Sequence, residues 1–281
     1  MGSVRSTFFG TSSVHVTDGV SGILVDGFFT RPSLLRVVLG RPIAPDPGVI
    51  AATLARGGVE HLDAVFVAHS HYDHVLDAPE IVKHAGGVLH GSESTLNVGR
   101  GAGLGEQSMK RVSDGSTHTF GQFTVRVLEG VHSPGDRYPG TIDEPLVPPV
   151  RASAYRTGGC YSFLLEHPTG TILVHPSAGF VPHQFDGLDV DLLYLGIGGL
   201  GAQPSQFQDD YWHHTVEATR PGLVIPVHWD HFGRSLGKKP RPMPRLLDKF
   251  TRTRELLDRK SAESGIPVRF QQPYDTITPF G

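Results

Sequence analysis

The sequence predicts an α/β fold, in which apolar strands alternate with helices, and three observations support this prediction. Short strand-like segments open the chain, apolar runs alternate with helical segments along the rest of it, and potential metal ligands follow several of these runs. The chain has 281 residues, 38% of them hydrophobic, which is enough to form the core of one large domain. Because no clean linker separates its two halves, we assign residues 1–281 to a single domain.

The first half contains predicted strands where β-branched and aromatic residues lie between glycine and serine turns. In chain order, these strands cover residues 6–10, 14–17, 22–28, 63–68, 87–90, 110–113 and 123–129. Helices are predicted at residues 48–56, with Pro47 near the start, at 78–85 and, more briefly, at 93–98. The order of strand, helix and strand from residue 63 to residue 90 indicates a β-α-β unit.

The second half continues the alternation after a long irregular segment. Strands are predicted at residues 160–166, 171–175, 190–195, 223–227 and 267–270, and helices at residues 206–219 and 245–262. The irregular segment, residues 133–159, is rich in proline and glycine. A loop of this length inside a compact domain is usually functional or disordered. Because it begins directly after His132, we expect a lid or a substrate-binding loop rather than a linker.

Four potential metal ligands lie within six residues, directly after the apolar run Ala64–Ala68. They are His69, His71, Asp73 and His74. In an extended segment, residues two apart point to the same side, so His69 and His71 can bind one metal ion together. Asp73 and His74 follow where the chain turns into the next helix, and they can face a second ion. Imidazole and carboxylate suit Zn²⁺ or a similar divalent ion, whereas a chance surface cluster is hard to reconcile with a buried strand just before it.

Two further histidines also follow apolar strands. His132 comes after residues 125–131, and His228 comes after residues 223–227. Side chains at strand ends converge at one edge of a sheet in layered α/β folds. A single histidine after a strand is weak support for a site, but three such strand ends in one chain together indicate a metal centre.

These motifs resemble the metallo-β-lactamase superfamily. The stretch Pro-Val-His-Trp-Asp-His-Phe at residues 226–232 is most similar to the branch that contains ascorbate-6-phosphate lactonase and N-acyl-phosphatidylethanolamine phospholipase D. The resemblance extends over residues 8–231, and its first motif is the most specific one. It implies a four-layer αββα sandwich with a metal site at one edge of two packed sheets.

The resemblance also implies two sets of ligands. One metal ion would be bound by His69, His71 and His132, and the other by Asp73, His74 and His228. Asp26 follows the strand at residues 22–25, where an acidic residue of the family can orient a metal-bound imidazole; the alternative is an ordinary turn residue before a glycine. Asp230, two residues after His228, is expected to support the ligands or to contact substrate.

One position departs from the family pattern. The family usually places an aspartate that bridges both metals after a strand, and Ser177 occupies that place here. A neutral hydroxyl is a poor zinc ligand and supplies no negative charge. We therefore expect the second ion to bind more weakly, or a bridging hydroxide to take over the role. His175 is a less favoured substitute ligand, because its parity along the strand differs from that of Ser177.

The expected function is a metal-dependent hydrolase. A metal-bound hydroxide would attack a lactone, ester, amide or phosphodiester, and Asp73 would act catalytically by orienting the water and carrying a proton to the leaving group. The expected cofactor is Zn²⁺, one or two ions per chain, with Mn²⁺ or Fe²⁺ as alternatives. The competing hypothesis is a non-hydrolytic metal-binding protein on the same fold, with catalysis weakened by Ser177.

The expected partner is a small-molecule substrate. Arg137, Arg151 and Arg156 lie in or beside the 133–159 loop and could bind an anionic group, or they could be ordinary solvated charges. A net charge of −3 disfavours a nucleic-acid partner, and no apolar run is long enough for a membrane anchor. The lone Cys160 suits a reducing compartment, so we expect a cytoplasmic protein. A homo-oligomer is left open.

Overall fold

The computed structural model describes residues 3–280, and it places thirteen strands in two sheets that pack face to face. The first sheet contains β1 (Arg5–Gly10), β2 (Ser13–Thr17), β3 (Gly22–Val25), β4 (Ala64–Phe66), β5 (Val88–Gly91), β6 (Met109–Arg111) and β13 (Thr276–Ile277). Its order is β13-β1-β2-β3-β4-β5-β6. Pairing is antiparallel from β13 to β3 and parallel from β3 to β6.

The second sheet has six strands. They are β7 (Thr117–Phe120), β8 (Phe123–Gly130), β9 (Cys160–His167), β10 (Gly170–His175), β11 (Leu192–Gly196) and β12 (Leu223–Val227). Its order is β12-β11-β10-β9-β8-β7. The strands β7 to β10 pair antiparallel, and β10, β11 and β12 pair parallel.

Helices cover the outer faces of both sheets. They are α1 (Leu34–Val38), α2 (Pro47–Arg56), α3 (Tyr72–Val75), α4 (Ala78–Ala85), α5 (Glu93–Gly101), α6 (Ser205–Trp212) and α7 (Phe250–Ser264). A π-helical turn at His213–Glu217 continues α6. Local sequence fixes where α2 begins. Asp46 accepts hydrogen bonds from the backbone N–H groups of Gly48 and Val49, and Pro47 occupies the first turn.

Three apolar clusters form the core, one between each pair of layers. Neighbouring residues of a strand contribute to different clusters, because their side chains alternate between the two faces. Phe8 packs between the sheets, whereas Phe9 packs under the helices of the first sheet. Leu173 of β10 likewise packs against Trp212 and Leu257 on the outer face of the second sheet. The α/β sandwich expected from the sequence is therefore confirmed.

Several elements differ from the sequence-based expectation. The strand predicted at 267–270 is wrong, because only Val268 forms a bridge, to Val224, and Pro267 has no N–H to continue a ladder. The last helix begins at Phe250 rather than at residue 245, since residues 244–248 form a turn that hydrogen-bonds to the Pro244 carbonyl. The short elements α1, β7 and β13 were not predicted. The assignment of the whole chain to one domain stays a prediction.

Candidate metal centre

Strands of both sheets end at one edge of the sandwich, and the side chains that follow them meet there. β3 leads to Asp26, β4 to His69 and His71, β8 to His132, β10 to Ser177, and β12 to His228. Because β3 runs parallel to β4, and β10 runs in the same direction as β12, their carboxyl ends face a common edge. The convergence expected from the sequence is therefore present in the fold.

The first group consists of His69, His71 and His132. One ring nitrogen of each lies within 4.8 Å of the others. His69 is buried, and neither of its ring nitrogens has a hydrogen-bond partner among residues 3–280. Burial, together with the neighbouring imidazoles, holds the pKa of His69 well below its usual range and lowers the pKa of His132 to about 4. Three neutral imidazoles, one of them with unsatisfied nitrogens, fit a divalent ion.

The second group consists of Asp73, His74 and His228, again with ligand atoms within 4.8 Å of one another. Asp73 Oδ2 lies 3.2 Å from His228 Nε2 and 4.0 Å from His74 Nε2. Burial acts to raise the pKa of Asp73, but the hydrogen bond from His228 and the surrounding imidazoles hold it far below its usual value. Burial acts to lower the pKa of His228, and its hydrogen bond to Asp73 raises it overall. This carboxylate with two imidazoles also fits a divalent ion.

Asp26 lies beneath the second group and contacts His74 directly. Its Oδ2 is 2.6 Å from His74 Nδ1 and accepts a hydrogen bond of 2.6 Å from the Ser12 hydroxyl. Its Oδ1 accepts from the backbone N–H of Ala68 at 2.8 Å. A carboxylate on Nδ1 leaves His74 Nε2 directed at Asp73, which is the arrangement that orients an imidazole for a metal.

Asp230 lies behind His228, among residues that contact the backbone of this ligand. It is buried and paired with Arg31, with 2.6 Å between Oδ2 and Nη1, and it accepts from the Thr11 N–H at 2.7 Å. The Thr11 carbonyl in turn accepts the backbone N–H of His228. The structure therefore places Asp230 behind the turn that holds His228 rather than against the ligand atoms. The Thr11–Ser12 turn, which touches both His228 and Asp26, carried no signal in the sequence.

Ser177 forms part of a hydrogen-bond network at the edge of the site. Its hydroxyl accepts from the Ser133 N–H at 2.9 Å. His175, the less favoured substitute ligand, has both ring nitrogens engaged, at 2.7 Å from the Ser162 hydroxyl and 2.8 Å from the Gly179 carbonyl. Ser177 has no carboxylate to bridge two ions, and the hydrogen bonds of His175 already engage both of its ring nitrogens.

Comparison with known sequences decides the family. Residues 23–229, well over half of the chain, match the family described as Beta-lactamase superfamily domain. The chain belongs to the beta-lactamase superfamily. At 28% identity over 203 residues, it is similar to a UPF0173 metal-dependent hydrolase of Myxococcus xanthus, and the match covers 69% of this chain and 65% of that protein. The narrower resemblance to the lactonase and phospholipase branch stays a prediction.

Solved structures show the same fold. The metallo-beta-lactamase fold protein YhfI of Bacillus subtilis superposes with a TM-score of 0.59 at 15% identity, covering 98% of this chain and 99% of that one. CmlA, a diiron beta-hydroxylase of Streptomyces venezuelae, superposes with a TM-score of 0.62 at 15% identity, covering 99% and 54%. At such low identities the likeness shows the fold alone. Because one fold can host different reactions, the residues of the site determine the activity.

A carboxylate that the sequence did not single out, Asp136, contacts the first group. Asp136 Oδ1 lies 3.2 Å from His71 Nε2, and Asp136 Oδ2 accepts from the Thr157 hydroxyl. That hydroxyl is also 3.1 Å from His71 Nε2, and the Tyr138 N–H donates to Asp136 Oδ1 at 2.9 Å. With Nε2 occupied, Nδ1 of His71 is the nitrogen left for a metal. The only available signal was the position of Asp136, four residues after His132.

A cavity of about 320 Å³ opens at the edge of the sandwich where the two ligand groups lie, and residues of both groups line it. One wall is apolar and includes Val38, Phe232 and Leu247. Of the three arginines expected to bind an anion, Arg137 lines the cavity. Arg151 and Arg156 are exposed farther along the loop, and neither is among the described residues that line it.

Proposed function

We propose that the chain is a metal-dependent hydrolase. The observation that carries this proposal is the pair of adjacent three-residue ligand groups at one cavity, with buried nitrogens of His69 that have no partner in residues 3–280. His69, His71 and His132 would hold one ion, and Asp73, His74 and His228 the other. The Myxococcus xanthus relative is named a metal-dependent hydrolase, which supports the same interpretation. The imidazole-rich donor set favours Zn²⁺, with Mn²⁺ or Fe²⁺ as alternatives.

A divalent ion held by neutral imidazoles supplies a water of lowered pKa and polarises the oxygen of the group under attack. Residues of the chain would orient the water, transfer its proton and position the imidazoles. Asp73 is ionised at neutral pH, lies at the cavity wall and can accept a hydrogen bond that orients a water. The same carboxylate can pass the water's proton to a leaving group. Asp26 on Nδ1 of His74, and Asp136 on Nε2 of His71, fix the direction of the two imidazoles.

The cavity supports a small-molecule substrate. Its volume of about 320 Å³ suits a small or medium organic compound, and its apolar wall could pack against a hydrocarbon part. Arg137 is a cation that lines the same cavity and could bind a carboxylate or phosphate. The proposed substrate is therefore a lactone, ester, amide or phosphodiester, with the 133–159 loop acting as its lid or binding loop. The cytoplasmic location and a homo-oligomer stay predictions.

Ser177 is the observation that favours a second candidate. Without a bridging carboxylate, the second ion has one anionic ligand fewer, and the chain could bind metal without hydrolysing a substrate. Both ligand groups are nevertheless complete, and Asp73 lies at the cavity wall as an anion that can orient a water. We therefore rank the hydrolase first.

Hydrolysis of a panel of p-nitrophenyl esters, γ-lactones and bis-p-nitrophenyl phosphate tests the proposal. The protein should hydrolyse at least one class, lose the activity after chelation and regain it with Zn²⁺ or Mn²⁺. His69→Ala should remove the activity, whereas the exposed His84→Ala on α4 should keep it. Metal binding without turnover of any class would favour the non-hydrolytic alternative, and activity that survives complete metal removal would contradict both.

A further inference from the structure

The mouth of the cavity is bordered by a surface that we call the rim, formed by residues 34–41 and 233–249. The two segments are neighbours: Val38 and Leu247 line the same cavity, and Gly233 packs so closely on Leu34 that a Cβ there would lie 2.7 Å from the Leu34 nitrogen. None of the residues of α1 is buried. The rim is therefore one continuous surface around the entrance.

The rim contains five of the ten large aliphatic side chains that are exposed among residues 3–280. All four exposed leucines among residues 3–280 belong to it, and they are Leu35, Leu39, Leu246 and Leu247. Val38 is exposed beside them, and Leu246 is 99% exposed. Single exposed apolar residues are ordinary, but a group of five around a cavity mouth marks a surface that meets something apolar.

The rim is also strongly basic, although the chain as a whole has a net charge of −3. Residues 233–249 contain six lysines and arginines and one acid, Asp248, which is buried. Residues 34–41 add Arg36 and Arg41 and no acid. Arg36 and Arg234 donate to backbone carbonyls rather than to carboxylates. The positive charge of the rim is thus open to an external anionic partner.

We propose that the rim docks the protein reversibly on an anionic lipid surface. The exposed aliphatic side chains of the rim enter the acyl boundary, and its lysines and arginines pair with anionic headgroups. A second copy facing the same rim would bring two basic surfaces together, which repels. Single-stranded nucleic acid is bound through aromatic side chains that stack on bases, and the exposed apolar residues here are leucine and valine. Docking does not depend on the proposed hydrolysis.

Vesicle flotation tests this proposal with the full chain. Wild-type protein should float with vesicles of phosphatidylcholine and phosphatidylglycerol, should bind pure phosphatidylcholine weakly, and should dissociate as salt is raised. Leu246→Ser should lower the partition coefficient about tenfold, because one buried leucine contributes about that factor. Arg245→Glu should lower it by about fivefold or more, since each basic side chain near such a surface contributes about fivefold.

Matched control variants distinguish vesicle binding by the rim from non-specific binding. Val20 is 83% exposed in the β2–β3 turn at the opposite edge of the sandwich, so Val20→Ser should bind like wild type. Lys110→Glu on β6 is the control for charge. Absence of flotation with anionic vesicles would overturn the proposal, as would equal binding by Leu246→Ser and Val20→Ser. A dimer in sedimentation that Leu246→Ser dissociates, without vesicle binding, would assign the rim to a second copy instead.

Discussion

Replacing Asp136 by asparagine tests whether the loop carries part of the metal centre. The Asp136→Asn variant would keep the size of the side chain and could still accept the Tyr138 N–H, which lies 2.9 Å from Oδ1. It would lose the negative charge 3.2 Å from His71 Nε2. Burial acts to raise the pKa of Asp136, but the Thr157 hydrogen bond and the nearby imidazoles lower it overall, so the wild-type side chain is an anion at neutral pH.

The expected loss of metal affinity follows from the role of the Asp136 carboxylate. A partner that fixes the tautomer and direction of a metal-binding imidazole contributes about 10- to 100-fold in metal affinity, or about 1.4–2.8 kcal/mol. Since Asp136 is partly open to solvent, we expect the lower end, about a tenfold increase in the dissociation constant of the first ion. The unfolding midpoint of the metal-free protein should change little, because the substituted amide can keep the Tyr138 hydrogen bond.

Competition with a chromophoric chelator measures this constant for Zn²⁺. Asp143→Asn, at an exposed acid of the same loop, is the matched control and should behave like wild type. Nitrogen NMR of the metal-free protein should show His71 protonated at Nε2, the nitrogen that faces Asp136. An Asp136→Asn dissociation constant within about twofold of wild type would refute the assignment of a positioning role.

Three further predictions concern the second group, the missing carboxylate and pH. His228 has a φ of 62°, which asparagine tolerates better than alanine, so His228→Asn should lose the second ion but keep the first in elemental analysis; retention of both would contradict the ligand assignment. Ser177→Asp should tighten the second ion by about tenfold in titration calorimetry, and an unchanged affinity would show that another group already fills the bridging role. Burial lowers the pKa of His15 and His175 to about 4 and that of His90 to about 3, whereas the unfolded chain takes up these protons near pH 6.5. Stability of the metal-free protein should therefore fall from pH 7 to pH 5, by about 2 kcal/mol per histidine, and urea unfolding with equal midpoints at both pH values would contradict this.

The fold could be predicted from the sequence where one physical pattern dominates. The runs that became β4, β8 and β12 are short, apolar and bounded by turns, and each was placed to within a few residues. The two-residue strand β13 could not be foreseen, since it exists only because Thr276 and Ile277 meet the edge strand β1. The segment at 267–270 has the composition of a strand but begins with a proline, and it makes a single bridge.

Some residues of the candidate site could likewise be predicted from the sequence, and others could not. Ligands adjacent in sequence, such as His69 and His71, follow from the strand period, and the structure brings them together with His132. Asp136 could not be assigned, because its contact with His71 depends on the path of an irregular loop that returns at Thr157. The sequence could not show that Arg156 lies away from the cavity, for the same reason.

The arrangement around the Thr11–Ser12 turn also lies beyond sequence patterns. Thr11 has a φ of 51° and links the buried Arg31–Asp230 pair to the backbone of His228. These contacts join residues about 200 positions apart in the chain, so only the folded structure reveals them.

Metal content per chain tests the central claim of two adjacent divalent-ion sites most directly. Protein purified without chelator and equilibrated by dialysis against Zn²⁺ should contain about two ions by elemental mass spectrometry, one for each ligand group. The second ion should leave first as free Zn²⁺ is lowered, because Ser177 supplies no bridging charge. Saturation at a single ion would contradict the two-site claim, and absence of bound metal after reloading with Zn²⁺ or Mn²⁺ would contradict the metal centre itself.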